Sequence, residues 1–230
     1  MDSYQQKQFE KIESLEKKFK SGRSPSTIVE PVKNYITDNR VCLTGVVFLS
    51  KNITDQIEEK IIKPLRNADK KQCFYLPKSL HVTIQNVRTI ADPPLFNAGD
   101  IEKVKKVFGK IVHKYKSFEF ELKGLFELPT SVGIRAFCDE ILKEIAFEIR
   151  ENLEREGVPD NKTYGSNDVV IANSTICRYT TKPNENFFRK VSELKNIEIG
   201  KFKAKKVSLI TTNAICHPKK TKVLSEYYLI

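Results

Sequence analysis

Several short runs of this chain alternate apolar and polar residues with the period of a half-buried strand, and others repeat apolar residues at helical spacing. Residues 41–49, Val-Cys-Leu-Thr-Gly-Val-Val-Phe-Leu, are almost continuously apolar and predict a buried strand. Residues 118–124, 133–137, a lysine-rich stretch at 202–211 and a last stretch at 222–229 predict further strands. Helices are expected over 55–65, 103–116 and 140–156. In the first forty residues Phe9, Ile12, Leu15 and Phe19 recur at helical spacing with Lys and Glu between them, so 4–20 reads as an amphipathic helix. Ser-Gly-Arg-Ser-Pro-Ser at 21–26 ends it and serves as a linker. The chain thus divides into an N-terminal helix with linker, 1–40, and a main domain, 41–230; packing of the helix on its own chain is the expected arrangement.

Two alternating stretches read as versions of one phrase: Leu80-His81-Val82-Thr83-Ile84 and Ala172-Asn173-Ser174-Thr175-Ile176. A strand sends residues i and i+2 to one face, so His81 projects with Thr83, and Asn173 with Thr175, while Val82, Ile84 and Ile176 pack behind. An imidazole passes a proton near neutral pH, and a hydroxyl two residues on donates to a non-bridging oxygen of the same phosphate. Alone, an H-x-T triplet equally suits a strand histidine bonded to a backbone carbonyl. Cys177 and Tyr179 share strand parity with Asn173 and are alternative proton donors. Arg178 has the opposite parity unless a bulge intervenes. His113 and His217 lie outside both motifs.

Composition narrows the classes. The 230 residues are 40% hydrophobic and 30% charged, enough for a substantial core. No run of 18 apolar residues or signal peptide is present, which points to a cytoplasmic or other reducing compartment without membrane attachment. The five cysteines are widely spaced and lack a C-x-x-C pair, so reduced thiols are expected and zinc is not. Net charge is +11. Lysines cluster at 17–20, 103–116, 201–206 and 219–222. Such surfaces attract polyanions, RNA among them, and Phe202 interleaved with Lys201, Lys203 and Lys205 suits nucleic acid better than the helical clusters do. Glycine-rich phosphate loops, nucleophile elbows and carboxylate metal loops are missing.

The two motifs, the proline loop Tyr75-Leu76-Pro77-Lys78-Ser79 before the first, the order of strands and helices, and Asn173-Ser174-Thr175-Ile176-Cys177-Arg178 together resemble the two-histidine phosphoesterase superfamily, the LigT-like or 2'-5' RNA ligase group, over about residues 41–230. The resemblance implies an α+β fold of two lobes, each an antiparallel sheet with outer helices, flanking a central cleft lined by one motif strand per lobe. It implies metal-independent phosphodiesterase or ligase chemistry on RNA or a nucleotide carrying a 2',3'-cyclic phosphate or a 2'-5' linkage. His81 then transfers a proton, Thr83 and Thr175 hold phosphoryl oxygens, and Arg178, Tyr179, Lys203 and Lys205 contact substrate. The second motif commonly reads H-x-T-x-x-R; here Asn173 replaces the histidine. An amide cannot change protonation state near pH 7, and loss of such a group costs about 10²- to 10⁴-fold in rate. Two readings follow: a slowed enzyme, or a catalytically silent nucleotide- or RNA-binding module. A basic interaction protein with an accidental H-x-T is a third.

Overall fold

The computed structural model describes residues 3–23 and 25–230. Its strands form two antiparallel sheets. The first has the order β3-β1-β8-β9, with β1 Val41–Phe48, β3 His81–Ala91, β8 Lys206–Thr212 and β9 Lys222–Tyr228. The second runs β2-β6-β5-β4-β7, with β2 Cys73–Phe74, β4 Phe118–Leu128, β5 Ser131–Phe137, β6 Ala172–Arg178 and β7 Glu198–Ala204. The two motif strands, β3 and β6, therefore belong to different sheets.

Six helices accompany the sheets among the described residues: α1 Ser3–Lys20, α2 Lys51–Ile57, α3 Lys63–Ala68, α4 Ala98–Ile111, α5 Ile141–Arg155 and α6 Glu185–Glu193. The expected helix at 55–65 is part of a longer run, because a π turn over Glu58–Ile62 joins α2 to α3. The α4 helix starts at a reciprocal cap, Asn97 accepting from Asp100 N and Asp100 from Asn97 N. Its Phe108 lies against Gly45 of β1, where a Cβ would overlap the ring. One continuous core unites both sheets, from Leu43 and Val82 to Phe120, Ile134 and Ile176.

The lysine-rich stretch at 202–211 is two strands rather than one. In β7, Phe202 and Ala204 are buried, and Phe202 stacks on Phe120 of β4 with ring centroids 5.4 Å apart. In β8, Val207 and Leu209 turn inward beside β1. Ser208 and Ile210 are buried too, so β8 is covered on both faces, and the chain changes sheet across Lys205 and Lys206.

The α1 helix packs on the second sheet. Ile12 and Leu15 form a small apolar cluster with Phe126 and Phe137. Arg135 of β5, whose side chain is 4% exposed, bonds to Glu13 and Glu16 of α1, each at 2.8 Å. Tyr4 Oη accepts from Val170 N, while the Gln8 amide donates to Val170 O and accepts from Cys138 N. Further on, Thr27 and Thr163 exchange two hydrogen bonds. The N-terminal segment is thereby fastened to the loop that leads into β6. No helix among the described residues is long and apolar enough to cross a membrane.

Candidate functional site

Between the two sheets lies a cleft of about 490 Å³, and His81, Thr83, Asn173 and Thr175 all line it. Strand alternation places them there: in β3 Val82 and Ile84 are buried while His81 and Thr83 are half-exposed, and β6 repeats the pattern with Ser174 and Ile176 buried. Asn173 Nδ2 donates to Thr175 Oγ1 at 3.3 Å, so the second motif is internally ordered. Beneath it, Gly133 of β5 leaves room for the amide; a Cβ there would come within 2.8 Å of Asn173 Nδ2.

His81 is held through Nδ1. Its Nδ1 lies 2.7 Å from Ser79 O, and because a carbonyl only accepts, Nδ1 carries the proton. Cys216, on the turn after β8, lines the same cleft and acts electrostatically on the ring. Burial alone would lower the His81 pKa, but Cys216 and the Ser79 carbonyl outweigh it and raise the value above that of an ordinary histidine. Burial likewise opposes ionisation of Cys216, yet His81, with help from the Thr221 and Thr212 hydroxyls, brings the thiol below its usual range. Thr221 Oγ1 donates to Cys216 Sγ at 3.6 Å, and Cys216 adopts a left-handed φ of 49°.

Arg178 faces this same cleft despite its parity. Between Thr175 and Cys177 the register against β5 slips by one residue, a bulge that turns the end of β6. Its Nε donates to Ala214 O at 2.6 Å and to Tyr75 Oη at 3.1 Å, which fixes the guanidinium. Two cations that the sequence pattern does not mark, Arg150 of α5 and Lys162 of the following loop, also line the cleft with Tyr164. The Arg150 guanidinium lies 3.7 Å from the Tyr164 ring centroid and its Nε donates to Gln85 Oε1 at 2.8 Å. Gln85 Nε2 in turn donates to Tyr164 Oη and Asp160. Among the described residues no Asp or Glu lines the cleft.

Other expected contacts fall elsewhere. Tyr179 is 7% exposed, packs edge-on against Phe187 and Phe188, and lines a separate groove with Phe19 and Lys182. The bulge that brings Arg178 in turns Tyr179 out, and burial raises its hydroxyl pKa far beyond the range of a proton donor at neutral pH. Cys177 is fully buried in the core. Lys203 and Lys205 are exposed and do not line the cleft; neighbouring Lys201 and Lys206 pair with Glu119 and Glu226. His113 lies in a short turn, Val112–Lys114, outside it.

No protein-family model matches the chain. Among solved structures it resembles TT0787 of Thermus thermophilus, with a TM-score of 0.61 at 14% identity over 82% of this chain and 97% of that one. A crystal structure described as a phosphoesterase gives 0.57 at 13% identity, covering 84% and 99%. E. coli LigT complexed with 3'-AMP gives 0.53 at 13% identity over 84% and 99%, and LigT complexed with ATP gives 0.53 at 13% over 83% and 99%. The chain has a LigT-like fold, two antiparallel sheets with helices around a shared cleft.

Proposed function

We propose that this protein binds the phosphate of a nucleotide or RNA end carrying a 2',3'-cyclic phosphate or a 2'-5' linkage, and that His81 is its proton-transfer residue. One observation carries the reading: a cleft that, among the described residues, no carboxylate lines gathers two hydroxyl motifs from separate sheets around an imidazole and three cationic side chains. Phosphate oxygens accept hydrogen bonds and carry negative charge, and this cleft offers donors and positive charge. The crystal structures of LigT with 3'-AMP and with ATP add support from the same fold.

In this reading Thr83 and Thr175 hold non-bridging oxygens, Arg178 neutralises their charge, and Asn173 positions the group without exchanging a proton. His81, with Nδ1 committed to Ser79 O, works through Nε2. A single proton-transfer group then makes turnover slow, and the binding-module reading is the limit in which it stops.

The test is hydrolysis of 2',3'-cyclic nucleotides by wild type and by Asn173→His. The expected result is weak activity, lost in His81→Ala and raised about 10²-fold by Asn173→His. Absence of turnover in both proteins, with binding of 3'-AMP retained and weakened by Thr83→Ala, selects the silent module. Failure to bind any phosphorylated nucleotide overturns the proposal.

A further inference from the structure

Resting on that reading, we infer that Arg150 and Lys162, with Tyr164 beneath them, form a second phosphate subsite in the cleft, so that the preferred ligand carries two phosphate groups. The His81–Thr83 and Asn173–Thr175 motifs with Arg178 account for one phosphate. Arg150 and Lys162 come from a different part of the chain, α5 and the loop after it, yet line the same cavity.

The cluster is built, not incidental. Gln85, two residues beyond Thr83 on β3, ties Arg150, Tyr164 and Asp160 together through its amide. Stacking on Tyr164 holds the Arg150 plane, and only Nε is engaged, by Gln85 Oε1 and at 3.7 Å by Asp160. Among the described residues its terminal nitrogens have no hydrogen-bond partner, leaving the fork edge for a ligand. Lys162 Nζ sits 5.5 Å from the same ring centroid. No carboxylate lies within ion-pair distance of Lys162 or Arg178 among the described residues, and Asp160 offsets one charge of the Arg150–Lys162 pair.

That leaves one uncompensated positive charge here and one at Arg178, whereas a cyclic phosphate carries a single negative charge. Burial, then Arg150, then Arg178 hold the Lys162 pKa below that of an ordinary lysine, against the opposing pull of Asp160. A second phosphate beside Lys162 supplies the charge this crowding lacks. It comes either from the phosphodiester of a flanking nucleotide or from a 5'-phosphate on the same nucleoside.

Three probes that a cyclic phosphodiesterase leaves intact separate the cases: 3'-AMP, adenosine 3',5'-bisphosphate, and the dinucleotide ApA with a 3'-phosphate. Titration calorimetry on the full chain is expected to show at least one two-phosphate ligand binding about tenfold or more tightly than 3'-AMP, with a steeper fall as salt rises. Preference for the dinucleotide assigns the subsite to a flanking phosphodiester, preference for the bisphosphate to a 5'-phosphate. Lys162→Met should erase the advantage, weakening the two-phosphate ligand about tenfold more than it weakens 3'-AMP, and Arg150→Lys, which removes the planar fork, should reduce it. Equal affinities for all three ligands in wild type, or an advantage that survives in Lys162→Met, overturn the inference while 3'-AMP binding leaves the first-phosphate reading standing. Failure of all three to bind overturns both.

Discussion

Cys216 and His81 line the same cleft although they lie on different elements, and each moves the other's proton affinity toward the ion pair. The consequence is measurable at the sulfur. Burial pushes Cys42 up to about 12 and raises Cys73, Cys138 and Cys177 as well, so Cys216 alone among the five is lowered. Because the thiolate is the reactive form, a lowered pKa brings the alkylation rate to its plateau at lower pH. Iodoacetamide near pH 7 should therefore label Cys216 first, read by peptide mass spectrometry, although the residue is only 2% exposed and reached through the cleft. His81→Gln should move the pH–rate midpoint upward, and 3'-AMP should protect the thiol. Equal labelling of all five cysteines counts against the pair.

The space above Gly133 is a requirement of the second motif. A Cβ there would meet Asn173 Nδ2 at 2.8 Å and the backbone oxygen of Ser174 at 3.2 Å, so the amide has to swing away. Gly133→Ala should cost about 1–3 kcal/mol in urea unfolding. It should also weaken 3'-AMP binding about tenfold. A variant indistinguishable from wild type in both measurements shows that Asn173 is not held where the ligand needs it.

Replacing Lys201, Lys203, Lys205 and Lys206 by Gln should leave 3'-AMP affinity within about twofold of wild type, because these side chains lie outside the cleft and exposed ion pairs contribute little, about 0–1 kcal/mol. Calorimetric titration checks this. A loss of tenfold or more returns these lysines to the binding surface.

Arg135 gives the N-terminal helix a charge-based anchor. Glu16→Ala leaves the buried guanidinium with Glu13 alone, and the expected loss is about 3 kcal/mol by urea unfolding. Replacing Arg135 and Glu16 together by Met should cost less than Glu16→Ala alone, since no buried unpaired charge remains and Glu13, which then loses its partner, is partly exposed to solvent. The opposite ranking shows that the pair contributes net stability beyond satisfying itself.

Strand alternation alone places His81 with Thr83 and Asn173 with Thr175, because periodicity of two is a backbone property that local sequence expresses fully. Where the register slips, that rule loses its hold: one bulge after Thr175 exchanges the expected positions of Arg178 and Tyr179. The split of the 202–211 stretch has a trace in the sequence, the polar pair Lys205–Lys206 between alternating β7 and β8, whose Val207 to Ile210 are all buried. Arg150, Lys162 and Cys216 have no such trace. They reach the cleft through a helix face, an irregular loop and a tight turn, and what brings them together is the tertiary arrangement of two sheets.

The order of strands in the first sheet has a bearing on how the protein comes into being. β1 is central, flanked by β3 on one side and β8 on the other. Cys42 of β1 bonds to Thr212 of β8 across 170 residues of chain. Closing a loop of that length is entropically slow, and a strand with one side unpaired is sticky until it closes. A ribosome therefore releases β1 and the His81 strand well before their sheet can be completed, while β4 and β5 of the other sheet pair at once through a short turn. The β4–β5 hairpin can thus form before the first sheet is complete, since β8 and β9 are the last strands of the chain. Cutting the polypeptide between the motifs yields two fragments, neither of which holds a whole sheet-and-site unit, and only their recombination restores the cleft.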